Sequence, residues 1–311
     1  MDGERGTDRR PVKVGLVLPD HEGLYGGAMP RWRDIRELAE LAEEVGFDSL
    51  WVCDHLINHW PDGSNRGTWE CMSDLAALAA VTDRVELGTL VICTAFRNPA
   101  LLAKMTDTIE EISGGRLILG IGAGWNEKEF ATFGYSFANR VSRFEEALAI
   151  ITGLLRDGHI DFQGKYYAAR DCELRPRGPR PGGPPILIGS NAPRMLDLLA
   201  RHGHAWNTWY SRIGNRAEGL PPLQELVDAA CVAAGRNPAE IMRTATVYVV
   251  VGPSGYAEPD VDPISGSPEE IAAALRAFAD VGVTHLQVRL EPNTPAGIAA
   301  FAPVLDALDG G

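Results

Sequence analysis

Short apolar runs alternate with amphipathic stretches from residue 12 to the end of the chain, and this rhythm constrains the fold more than any other feature. Val12 to Leu18 reads as a buried strand closed by Pro19. Further strands follow at Ser49 to Cys53, Val85 to Val91, Arg116 to Ile121, Ile186 to Ile188, Ala205 to Asn207, Thr244 to Val250 and His285 to Arg289. Between them lie helical stretches. Asp34 to Val45 carries its apolar stripe at Ile35, Leu38, Ala39, Leu41, Ala42 and Val45, and Gly46 stands where a C-terminal glycine belongs. Others run over Glu70 to Val81, Pro99 to Ile112, Glu127 to Phe133, Arg140 to Leu155, Pro193 to Arg201, Leu223 to Ala234, Pro268 to Asp280 and Pro295 to Leu308. Eight strands interleaved with helices imply a parallel sheet. Closure into an α/β (β/α)8 TIM barrel buries both faces of such a sheet more simply than an open one does, although the pattern alone does not exclude a doubly wound sheet.

One barrel with insertions accounts for 311 residues as well as two domains would. Residues 1–10 read as a disordered leader and 11–311 as a single domain. The excursion over 157–185 is a hairpin plus a loop, and its Pro- and Gly-rich part, Arg175 to Pro185, is a candidate lid. The formal charge of 29 minus 42, or -13, comes without a long basic run and makes nucleic acid and anionic membranes unsuitable partners. Five cysteines, an odd number with no Cys-x-x-Cys pair, argue against a disulfide framework or a zinc knuckle and for a reducing cytoplasm. No run of 18 apolar residues is present, and the expected partner is a small molecule.

In a barrel of this kind the chemistry belongs at the C-terminal ends of the strands. Cys53-Asp54-His55 follows the second strand, where an acid and an imidazole either exchange protons with a substrate or merely cap a loop. Gly122-Ala123-Gly124 follows the fourth, where missing side chains let the backbone approach a flat ring or simply turn the chain tightly. The third glycine and the acid of a dinucleotide fingerprint are missing. Gly189-Ser190-Asn191 and Arg194 lie at the start of a helix whose amides suit a phosphate, though most capped helices bind nothing. Trp206 to Trp209, with Thr208 between the indoles, would line a cofactor pocket or pack as core. Histidine spacing gives no metal site.

Gly46 to Val52 running into Asp54-His55 is very similar to the second strand of the bacterial luciferase-like oxidoreductases. Leu87 to Val91 with Arg97 to Lys104, Ser113 to Trp125, and Pro185 to Gly189 with Arg201 to Asn207 resemble further segments of that superfamily in the same order. The match spans about residues 12 to 210, and its coenzyme F420 branch is the nearer one. The resemblance implies a deazaflavin ring at the strand ends, with FMN as the alternative, and a phosphate tail over strands five and six. It also implies a non-prolyl cis peptide between Leu90 and Val91, next to Thr89, behind the ring. Asp54 and His55 take positions at the ring's polar edge, His55 as the proton-transfer group, and Trp60 corresponds to an aromatic near the ring. The implied activity is hydride transfer between F420 and a small organic substrate in a homodimer; reduced-flavin monooxygenation with O2 is the other activity of the superfamily. Trp125 stands where sugar-phosphate dehydrogenases of this branch carry an acid, which puts that substrate in doubt.

Overall fold

The structure, a computed structural model, describes residues 10–19, 21–59, 63–253 and 260–310. Trp60 and residues 1–9 of the expected leader lie outside these. The expected strands form a closed (β/α)8 barrel: β1 (Lys13–Val17), β2 (Ser49–Val52), β3 (Glu86–Thr89), β4 (Leu117–Gly122), β5 (Ile186–Gly189), β6 (Ala205–Thr208), β7 (Met242–Val250) and β8 (His285–Glu291). Each is parallel to the next, and β8 returns to β1 with Lys13 opposite His285. Outward residues such as Leu50, Leu87, Leu119, Ile188 and Val247 pack in one core with the apolar faces of the helices. These are α1 (Trp32–Val45), α2 (Cys71–Val81), α3 (Pro99–Ser113), α4 (Glu127–Thr132), α5 (Arg140–Asp157), α6 (Pro193–His202), α7 (Pro221–Ala233), α8 (Pro268–Asp280) and α9 (Pro295–Asp309).

Three expectations change. The third strand does not run unbroken to Val91: β3 stops at Thr89, and pairing with β4 resumes only at Ile92 and Cys93. Arg10 is not part of a leader, because its guanidinium bonds Asp309 at 2.7 and 3.1 Å and Asp48 at 3.3 Å, tying the chain's beginning to its end. The Arg175 to Pro185 segment is not a lid over the strand ends. A helix that follows a parallel strand runs back to the N-terminal face of the barrel, so the chain leaving α5 starts at the wrong end. There Arg177 pairs with Asp107 at 3.3 Å and Arg180 with Glu110 at 2.9 Å. Arg180 also meets the carbonyl of Leu117, the first residue of β4. The hairpin before it, His159–Gln163 with Ala168–Glu173, packs along α5.

Inside the barrel the lower layer is polar and closed upon itself. Trp51 is fully buried and occupies the space that a Cβ at Gly15 or Gly88 would enter, 2.4 and 2.2 Å from its ring. Its indole N–H donates to the Ser49 hydroxyl at 2.7 Å, which is hydrogen-bonded in turn to His285 Nε2 at 2.7 Å. Above it, the Asn207 amide donates to Gln287 at 2.7 Å and to the Thr244 hydroxyl at 3.0 Å.

Burial, with a smaller contribution from Lys13, depresses the His285 pKa to about 3. Folding therefore excludes a proton that the unfolded chain binds below about pH 6.5. Stability is unaffected above that value and falls as the pH drops toward 3, because only the unfolded state gains the proton. At pH 4.5 the loss from this residue is on the order of 2–3 kcal/mol. Denaturant titrations at pH 7.5 and 4.5 should show a smaller acid loss for His285→Gln than for the wild type. Equal losses would mean that His285 is protonated inside the fold.

Candidate functional site

The C-terminal end of β2 is joined to the chain that continues β3 by one buried carboxylate. Asp54, 4% exposed, accepts the Cys93 amide at 2.9 Å and both terminal nitrogens of Arg97 at 2.7 and 2.8 Å. Arg97 also meets Glu70, whose carboxylate caps α2 through the amides of Met72 and Ser73. Burial alone would weaken protonation of Arg97, but hydrogen bonding to Asp54, the charge of Asp54 and the hydrogen bond to Glu70 outweigh it and raise its pKa. Burial likewise works against ionised Glu70, yet its bonds to Arg97 and Ser73 leave its pKa below the ordinary value. The carboxyl of Asp54 is therefore turned to Arg97 and not to the mouth, a correction to its expected place at a ring edge. What it provides is the fixed position of His55, the next residue.

Beside it the Leu90–Val91 peptide bond is cis. The Thr89 hydroxyl donates to the Gly120 carbonyl at 2.7 Å, and a Cβ on Gly120 would lie 1.9 Å from the Thr89 carbonyl oxygen. Methyls of Val91 come within 3.0 Å of the Cβ positions of Gly120 and Gly122 and 3.5 Å of that of Gly189. Gly120 and Gly122 make room for Val91, whereas the Gly189 position lies at ordinary contact distance from it. The sequence reading left that space either to a ligand or to a tight turn of the chain. Gly124 has φ 79° and faces Cys93 Sγ and the Phe130 ring, each 2.7 Å from a Cβ placed there. Buried Ala123 lies between the two glycines. Val91, Cys53 and Trp209 pack on one apolar cluster, with Leu90 and Trp51 among its buried members.

His55 is held from α4. Its Nδ1 is 3.2 Å from Glu129 Oε2, while Glu129 Oε1 accepts the amides of Leu56 at 2.5 Å and Ile57 at 3.2 Å. The Thr68 hydroxyl donates to the His55 carbonyl at 2.6 Å. Glu129 is 2% exposed; burial alone would raise its pKa, but His55 and the two amides outweigh it and hold the carboxyl below its ordinary range. Trp125, 72% exposed, meets the imidazole edge-on with 5.8 Å between centroids. The sequence reading placed a helix over Glu127 to Phe133 and missed Glu129 within it. Only the face of α4 that buries Phe130 separates Glu129 from Glu127, and that face is set by a loop 74 residues away.

Across the mouth, the Ser190 carbonyl accepts the Trp206 indole N–H at 3.0 Å, and the Asn191 amide donates to the Thr208 hydroxyl at 3.3 Å. Trp206 is fully buried in the helix-facing core and is not a pocket wall. α6 starts from Ala192 with no side-chain cap, contrary to the expected capping residue; the Ser190 hydroxyl accepts only the Ala192 amide, at 3.3 Å. Arg194 bonds Ser142 at 3.0 Å and Glu145 on α5, so its charge is engaged away from the amides of α6. Arg289, which the sequence reading also missed, lies two residues beyond Gln287 on the inward row of β8 and reaches the Tyr210 hydroxyl at 3.5 Å.

A flat ring with a phosphate tail fits these residues. The apolar floor of Cys53, Val91 and Trp209 suits the ring, and the uncapped start of α6 offers amide donors to the tail. The Oδ1 of Asn191 is buried without a hydrogen-bond partner among the described residues, a vacancy that a donor on such a ligand would fill.

Arg97→Leu should leave the Asp54 charge buried and uncompensated, at a cost of about 3–5 kcal/mol. Adding Asp54→Asn should recover part of that loss. Denaturant midpoints of the single and double variants read both effects; a loss below about 1 kcal/mol would mean that solvent reaches the pair.

The family profile described as luciferase-like monooxygenase matches residues 12–257. An F420-dependent glucose-6-phosphate dehydrogenase of Amycolatopsis mediterranei is 35% identical over 175 residues, 55% of this chain and 51% of that protein. A 5,10-methylenetetrahydromethanopterin reductase of Archaeoglobus fulgidus is 35% identical over 173 residues, 56% of this chain and 48% of that protein. The chain thus spans about half the length of each. A solved F420-dependent secondary alcohol dehydrogenase, in complex with an F420-acetone adduct, shares the fold: its TM-score is 0.79 at 20% identity, covering 96% of this chain and 99% of that one. With the closed barrel and a profile that takes in most of its length, the chain belongs to the luciferase-like monooxygenase family.

Proposed function

We propose that this protein is a coenzyme F420-dependent oxidoreductase that passes a hydride between the deazaflavin and a small organic substrate, with His55 moving the proton. The observation that carries this reading is an imidazole fixed by Glu129 at the C-terminal ends of the strands, in the mouth whose floor is Cys53, Val91 and Trp209. The names of the two relatives, one F420-dependent, support it. Thr89, Leu90, Val91, Gly122, Ala123 and Gly124 would back the ring, while Gly189, Ser190, Asn191 and Thr208 would hold the tail. When bound, the deazaflavin supplies a carbon that accepts or gives a hydride. The protein's own task is to orient the substrate, limit water, and accept or return a proton at the imidazole. Trp125 places an indole beside His55, so the sugar-phosphate substrate of the Amycolatopsis relative is not carried over.

The reading includes a homodimer in the cytoplasm. Exposed Trp32 and Trp69, at the starts of α1 and α2, line one depression that would offer an apolar surface to a second copy. No disulfide joins the five cysteines, as a reducing compartment requires, and no described helix is long and apolar enough to cross a membrane.

Fluorescence titration under identical salt should give a micromolar or tighter Kd for F420 and at least about tenfold weaker binding of FMN. The reverse preference would favour a reduced-flavin monooxygenase that consumes O2, and binding of neither would sink both readings. His55→Ala should bind F420 as the wild type does. It should lose about 10²- to 10⁴-fold in turnover of a substrate found by screening alcohols, imines and activated alkenes for change in F420 absorbance.

A further inference from the structure

The hydrogen bonds of Glu129 divide its two oxygens between different tasks. Oε1 receives two backbone amides, Leu56 and Ile57, which can only donate; Oε2 faces His55 Nδ1 at 3.2 Å. An ionised carboxylate can only accept, so a hydrogen bond at this distance requires the proton of the neutral imidazole to sit on Nδ1. That leaves the lone pair on Nε2. Which ring nitrogen carries the proton is set by the bond that the other nitrogen makes.

We propose that Glu129 is a positioning residue that fixes His55 in its Nδ1–H tautomer and so makes Nε2 the proton-accepting nitrogen of the ring. The surroundings suit this role better than that of a loop anchor alone. The Thr68 hydroxyl already holds the backbone of His55, the Trp125 edge limits rotation of the ring, and Glu129 is almost fully buried. A carboxylate so buried, with one oxygen aimed at an imidazole, does more than bind two amides that solvent or a neutral acceptor could satisfy. The assignment rests on the proposed function only in giving His55 a proton to move; the tautomer itself belongs to the apoprotein.

The same geometry makes Glu129→Gln a test with a defined sign. The amides of Leu56 and Ile57 claim the one oxygen of glutamine, since a carboxamide NH2 facing them would set donor against donor. The NH2 then faces Nδ1, which must become an acceptor. The tautomer should invert to Nε2–H without loss of the fold.

Long-range 1H–15N spectra of 15N-histidine-labelled apoprotein read this directly, with His55→Asn identifying the signal among the seven histidines. In the wild type, above its titration, Nδ1 should lie in the protonated, pyrrole-type region and Nε2 in the unprotonated, pyridine-type region; in Glu129→Gln the two should exchange. Affinity for F420, measured on the same samples, should change by less than about threefold. A wild-type Nε2–H tautomer, or the same pattern in both proteins, would overturn the assignment. The wild-type spectrum alone decides the matter should the variant fail to fold. Wild-type protein that shows the Nδ1–H pattern but binds no F420 would instead refute the proposed function and leave the role of Glu129 standing.

Discussion

A carboxylate taken almost entirely out of water must be met by a positive charge and by hydrogen-bond donors, or it neutralises or unfolds its surroundings. Asp54 meets that demand with Arg97 and the Cys93 amide, and in doing so connects the end of β2 to the chain that continues β3. Because Arg97 also holds Glu70, which caps α2, the network joins two strand ends to a helix start. The bulge at Leu90 and Val91 and the loop carrying His55 both spring from this anchored region. The Leu90 amide still bonds the Val52 carbonyl of β2 at 2.9 Å, and pairing with β4 resumes at Ile92. Ion pairs of this kind contribute little net stability relative to apolar residues of equal volume. Their effect here is to specify one arrangement of the mouth.

The polar atoms of the barrel interior are distributed along its axis. At the N-terminal end, Trp51, Ser49 and His285 form a closed set, and their neutrality is enforced by burial. In the middle, Gln287 accepts from Asn207, but its own Nε2 has no partner among the described residues. Toward the C-terminal ends, the Oδ1 atoms of Asn191 and Asn293 are buried and unmatched. Buried polar groups in folded proteins are paired with few exceptions. Of these atoms, those of Asn191 and Asn293 lie at the end where the loops of the barrel converge.

Much of the barrel was legible in the sequence, because strands buried on both faces read as continuous apolar runs and the helices between them carry clear stripes. His55 was legible for a related reason: its place immediately after the SLWV strand puts it at the mouth whatever the loops do. The cis bond at Leu90–Val91 came only from resemblance, and the break in β3 was not expected, since Leu90 and Val91 continue an apolar run that local pattern assigns to strand. Gly122 left two readings open, because an absent side chain records that space is needed without recording by what; Val91 takes part of that space. Asp54 was assigned to the mouth because its partner Arg97, 43 residues on, answers to no local rule. The missing cap of α6 and the surface bonds of Arg194 are likewise products of tertiary placement.

The same limit explains why Glu129 escaped notice while its effect was partly anticipated. Position along the chain can say that an imidazole stands where protons could be exchanged, but its proton-accepting nitrogen is decided by whatever meets the other one. In this fold that decision is made by α4, a helix of six residues. α4 follows directly from the turn after β4, and its placement depends on Gly124 allowing Phe130 to pack against Cys93. A substitution at Gly124 would therefore act on His55 through two intermediates, the ring of Phe130 and the carboxylate of Glu129, without touching the imidazole. The geometry of the mouth is thus inherited from the packing behind it: the Val91 bulge needs the glycines of β4, and the orientation of His55 needs the turn that ends that strand.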